Sequence, residues 1–110
     1  MGNENVVICG ANSYEGKYYL NQDFSAMPQS VKDELQIMCV LYVQDVGGIL
    51  TLELDEEGHT QFRTRAAEND FSYDEIGSVL KIRQLQREKE ELLQSLELFY
   101  RLMVRGKKTC

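Results

Sequence analysis

The chain has 110 residues, 43 % hydrophobic and 27 % charged, with a formal net charge of −6. That length suits one domain with one core, and the ordinary composition argues against a disordered chain. Acidity opposes nucleic-acid binding, because affinity for phosphate comes largely from Lys and Arg neutralising backbone charge. The charge is unevenly spread: residues 1–76 hold 14 acidic and 4 basic side chains, whereas residues 77–110 hold 4 acidic and 8 basic ones.

Taken in chain order, the apolar runs Val6 to Cys9 and Tyr18 to Leu20 flank a polar turn, Asn12 to Gly16, which predicts a hairpin with a loop of more than two residues. Pro28 and Ser30-Val31-Lys32-Asp33 then announce a helix, with Pro suited to a first turn and the Ser and Asp spaced as a capping box. It is expected to reach about Asp45 and to stop at Gly47-Gly48. Its middle, Ile37 to Val43, would also suit a buried strand, but Val31, Leu35, Met38 and Tyr42 recur at helical spacing and decide for helix. Ile49 to Leu54 alternates with the period of a half-buried strand, Asp55-Glu56-Glu57-Gly58 supplies a turn, and Thr60 to Arg65 returns as its partner.

Ser72-Tyr73-Asp74-Glu75 reads as a second capping box that opens one long C-terminal helix over residues 73–105. The predicted fold is therefore a single α+β domain spanning residues 1–110 in the order ββαββα. It has a four-stranded antiparallel sheet and two helices, the middle one on one face of the sheet and the long one crossing or leaving it.

The long helix carries the main functional signal. At 100° per residue, Ile76, Val79 and Leu80 point one way, while Ile82, Leu85, Leu92, Leu93, Leu96, Phe99, Tyr100 and Met103 cluster on the opposite side. Within the second set, Ile82, Leu85, Leu92, Leu96, Phe99 and Met103 fall at coiled-coil steps once Lys89 is allowed as a polar member. Thirty helical residues span about 45 Å, more than strands of five or six residues can cover. These six residues are the expected interface, to a second copy or a protein partner, although the same stripe would serve equally to cover the chain's own sheet.

The other motifs point away from chemistry. Gly10-Ala11-Asn12-Ser13-Tyr14-Glu15-Gly16-Lys17 resembles a phosphate-cradling loop. It has one residue too many between its glycines, Tyr18 in place of the Mg²⁺-holding hydroxyl, and a strand-like run after Lys17 where a helix is needed. The lone His59, the unpaired spacing of Cys9, Cys39 and Cys110, and the acidic turn around Asp55 match no metal pattern, so neither metal nor cofactor is expected. No nucleophile and base can be paired from sequence. Cys9, Cys39 and Tyr42 are expected in the core, whereas Tyr14 is expected at the surface and Cys110 exposed. An odd number of thiols, no signal-peptide pattern and no membrane-length apolar run predict a cytoplasmic protein.

Three stretches, CGANSYEGKYYLN at 9–21, DVGGILTLE at 45–53 and YDEIGSVLK at 73–81, resemble a family of uncharacterised proteins of about this length from anaerobic Gram-positive bacteria. The resemblance covers nearly the whole chain. It implies a cytoplasmic bacterial protein of unknown function and transfers no site residue. The element order is also similar to that of small adaptor and immunity-type α+β proteins, an analogy of fold alone. The expected function is a non-enzymatic interaction domain, self-associating through the C-terminal helix. The alternative is a small-ligand or regulatory domain with a pocket between sheet and helix at Asn12, Ser13 and Tyr14, and an enzyme is third.

Overall fold

Two hairpins side by side make the sheet in a computed structural model that describes residues 5–105. Strand β1 (Val6–Asn12) pairs with β2 (Lys17–Leu20), and β3 (Ile49–Leu54) with β4 (Thr60–Arg65). Since β1 also pairs with β3, the sheet is antiparallel throughout, in the order β2-β1-β3-β4. The alternation of β3 sets its faces: Leu50, Leu52 and Leu54 are fully buried on the inner one, with Ile49 and Thr51 half-buried on the other. A bulge between Val7 and Cys9 interrupts the alternation of β1 and leaves consecutive residues Ile8 and Cys9 both buried. Asn21 takes up the carbonyls at the bulge, its Nδ2 donating to Val7 O and its backbone N to Ile8 O, each at 2.8 Å.

Helix α1 (Gln29–Val46) lays Leu35, Met38, Cys39, Tyr42, Val43 and Val46 on the inner face. Its start differs from the expected capping box. Pro28 is the cap residue, its carbonyl accepting from Val31 N and Lys32 N, and Ser30 falls inside the first turn. Its end is the expected glycine pair, with φ +89° at Gly47 and +74° at Gly48. At Gly48 a Cβ would sit 2.6 Å from Arg65 O and 2.7 Å from the Tyr73 ring, so neither backbone nor space admits a side chain.

The two-helix order ββαββα needs correction, because the described residues form three α-helices in the order ββαββαα. The single helix expected over residues 73–105 is divided into α2 (Glu75–Glu88) and α3 (Glu90–Phe99), followed by a π-helical turn, Tyr100–Arg105. Lys89, at φ −107° and ψ 23°, is the break. Hydrogen bonds from Lys89 N to Leu85 O (2.8 Å) and from Leu93 N to Lys89 O (2.9 Å) carry the ladder through it, and Lys89 Nζ reaches Glu34 Oε2 on α1 at 3.0 Å.

The physical reason is the length mismatch itself. A straight rod of about 45 Å would run past strands of about 20 Å, whereas a bend returns its apolar stripe to the core. Beyond the bend Leu92, Leu93 and Leu96 are buried. Phe99 and Tyr100 meet Phe24 at ring-centroid distances of 5.7 and 6.3 Å. Phe24 comes from a 3₁₀ turn (Gln22–Phe24) that follows β2.

The start of α2 is also displaced, since Asp74 is the cap, its Oδ1 accepting from Gly77 N at 2.8 Å, while Ser72 bonds back to Asp70. Among the described residues no helix is long and apolar enough to cross a membrane.

Candidate functional site

Of the six residues expected to form an interface, Leu85, Leu92 and Leu96 are buried in the chain's own core, Ile82 and Phe99 pack against it, and Met103 is exposed. The stripe that suggested a partner is used within the molecule. Cys110, with Lys107 and Lys108, lies outside the described residues.

Asn12, Ser13 and Tyr14 tie loops together. Asn12 Oδ1 accepts from Tyr14 N (2.8 Å) and Glu15 N (3.2 Å), and Ser13 N donates to Gly48 O (2.9 Å). The Tyr14 hydroxyl donates to Asp70 Oδ2 at 2.5 Å and accepts from Ala67 N at 3.0 Å, which pins the loop before α2 to the β1–β2 hairpin. That bond raises the Tyr14 pKa, and with help from Ser72 it holds the Asp70 carboxyl below its ordinary value.

Behind this loop, the Ser78 hydroxyl shares a hydrogen bond with Tyr42 (2.6 Å) and accepts another from Tyr73 (2.9 Å), joining α1 to α2. Burial pushes the Tyr42 phenol up. Burial acts likewise on Tyr73, but hydrogen bonds with Ser78, Tyr42 and Thr64 outweigh it and leave that phenol below its usual range.

The chemistry-bearing motifs are engaged structurally. Lys17 opens strand β2, so no helix N-terminus follows the glycine-rich loop. Asp55, Glu57 and His59 lie together in the β3–β4 turn, where Asp55 accepts from Glu57 N, His59 N and Gln61 Nε2. The backbone bond from His59 leads these contacts in holding the Asp55 pKa down. Cys9 and Cys39 place their sulfurs 3.8 Å apart in the core, and the contact with Cys9 together with burial pushes the Cys39 thiol far up, as for an inert thiol.

Two surfaces escaped the sequence reading in part or whole. On the outer side of α2, Ile76, Val79 and Leu80 are 76, 52 and 60 % exposed, with Phe71 also exposed in the loop before it. Their common direction was legible, but not that it stays uncovered. On the outer face of the sheet, register places Tyr19, Gly10, Thr51 and Arg63 in one cross-strand row and Lys17, Asn12, Ile49 and Arg65 in the next. An open depression of about 740 Å³ lies here, lined among others by Asn5, Thr51, Asp55, Gln61, Arg63 and Arg65. On the same face Glu53, 9 % exposed, is bonded to Asn5 Nδ2 (3.1 Å), Thr51 Oγ1 (2.7 Å) and Arg63 Nε (3.2 Å). Residues far apart in the chain meet here, so only the strand order reveals the face.

A model described as a family of unknown function, DUF6145, matches residues 5–108. No curated protein and no solved structure matches the chain.

Proposed function

We propose a role from this chain's own surface, because it belongs to DUF6145, a family of unknown function: a non-enzymatic interaction domain that self-associates through the outer side of α2. The observation that carries this reading is the exposed trio Ile76, Val79 and Leu80, on a helix whose other side is already docked through Ser78 and Leu85. Spacings of three and four residues place the trio in one stripe, which Arg83 and Arg87 continue. Against a second copy the arginines would face a body, residues 1–76, with 14 acids to 4 bases. Each apolar side chain buried contributes roughly 1.5 to 3 kcal/mol, and the cost of association removes much of the sum. The reading is thus of a reversible, concentration-dependent dimer. The odd number of thiols and the resemblance drawn above support reading it as a cytoplasmic protein of an anaerobic Gram-positive bacterium.

Light scattering over a concentration series tests the proposal. Wild-type mass should rise towards that of a dimer, and Ile76→Glu with Leu80→Glu should give a monomer with an unchanged melting temperature. A wild-type protein that stays monomeric at high micromolar concentration, or a double variant that still dimerises, sinks it.

A further inference from the structure

The bare face of the sheet carries charge opposite to the body it belongs to. Residues 1–76 contain only four basic side chains, and three of them, Lys17, Arg63 and Arg65, converge on this face; the fourth, Lys32, is on α1. Two acids share the face: Glu53, already paired with Arg63, and Asp55 at the end of the depression, which accepts from Glu57 N, His59 N and Gln61 Nε2. Among the described residues neither Lys17 nor Arg65 has an ion pair or a side-chain hydrogen bond. Asp55 lies at one end of the depression and Glu75 beside Arg65 at the other, yet neither forms an ion pair with these cations, which leaves Lys17 and Arg65 complementary to an acidic ligand.

Spacing narrows the class. Arg63 and Arg65 are alternate residues of β4, so their side chains leave the same face about 7 Å apart. An extended polypeptide running along β4 presents its own alternate side chains at the same interval. Lys17 stands across the sheet in the Arg65 row, three strand spacings or about 14 Å away. Between the two rows' ends the floor is low: Gly10 offers backbone alone, and Thr51 and Asn5 supply polar groups beside the depression. Tyr19, 56 % exposed, closes the Arg63 row with an aromatic face.

From this arrangement we infer that the outer face of the sheet binds an extended segment of a partner protein in which acidic residues alternate with neutral ones. Arg63 and Arg65 take successive carboxylates, and Lys17, across the strands in the Arg65 row, adds positive potential to the face. Arg63 stays tied to Glu53 through Nε, which fixes its guanidinium and leaves its terminal nitrogens for the ligand.

Fluorescence anisotropy with a labelled peptide of about ten residues alternating Glu and Thr tests this. Saturable binding to the full chain is expected. It should weaken about tenfold or more in Arg65→Glu and by a smaller factor in Lys17→Glu, both exposed positions whose exchange leaves the melting temperature unchanged. A peptide of the same composition with its Glu residues in one block should bind more weakly, and one with Gln for Glu not at all. Ile76→Ser with Leu80→Ser, which change no charge beside Arg65, should leave the binding intact, which separates this site from the dimer surface. Absence of binding, equal binding by the block peptide, indifference to both charge reversals, or tighter binding of an oligothymidylate would each overturn it.

Discussion

The two layers show solvent opposite kinds of surface. The helical layer exposes aliphatic side chains, Ile37 and Leu41 on α1 and Ile76, Val79 and Leu80 on α2, while the sheet exposes Tyr19 and three cations. In a strand every second residue leaves the core, so the outer set can be chosen freely, and charge there guards an open sheet against edge-to-edge pairing. A helix covers its core with about a third of its circumference, and apolar residues beyond that arc answer to some other demand. The contrast teaches that one core can carry an apolar surface and an ionic one as neighbours, since Val79 of α2 and Arg65 of β4 line the same shallow depression.

The largest test of that division compares Leu96 with Leu80. Leu96→Ala, at a fully buried site, should cost roughly 2 to 5 kcal/mol in urea unfolding, and Leu80→Ala within about 0.5 kcal/mol at low protein concentration. Equal losses would mean that α2 has no free side. Next come the glycines at the end of α1. Gly47→Ala should lose roughly 1 to 3 kcal/mol through backbone strain alone, and Gly48→Ala more, because its Cβ also meets Arg65 O. If Gly47 proves the more sensitive in melting temperature, the approach of β4 to the helix end is wrong.

Tyr18→Phe should stabilise by about 1 kcal/mol, since it removes a buried hydroxyl that, among the described residues, has no partner better than the weakly bonding Cys9 thiol. A loss of stability would show that the hydroxyl is satisfied in solution. Smaller still is the link between hairpin and α2. Asp70 has its pKa depressed by Tyr14 and Ser72, so its contribution is present above the unfolded value near 4 and disappears as pH falls through the lower folded value. The melting difference between wild type and Asp70→Asn should therefore be visible at neutral pH and close below about pH 4. A difference that persists in acid would refute the ionic origin. Arg65→Ala should change stability least, within about 0.5 kcal/mol, which sets function and folding apart on the sheet side.

Strands, the extent of α1 and its glycine stop were legible because each rests on local rules: alternation, helical spacing and positive φ. The bend at Lys89 was not. Leu85, Leu92 and Leu96 keep one line through it, so periodicity sees an unbroken helix, and what bends the chain is the distance to Phe24 and the tie to Glu34. Ser30 and Ser72 fit a capping pattern, but Pro28 and Asp74 sit where the backbone turns helical. The outer sheet face needed strand order, since Lys17 and Arg65 are brought into one row only by the pairing of β1 with β3.

The hydroxyl junction of Tyr42, Ser78 and Tyr73 gives the molecule an optical handle. The chain has six tyrosines and no tryptophan, so its near-ultraviolet signal is phenolic throughout. Tyr42, fully buried with its hydroxyl bound to Ser78, sits at the seam between α1 and α2, and its absorbance depends on that bond. If α2 loosens when a partner engages its outer side, the change reaches Tyr42 while the sheet and its backbone signal stay as they were. A shift in the tyrosine band without a change in far-ultraviolet dichroism would be the spectroscopic mark of that event.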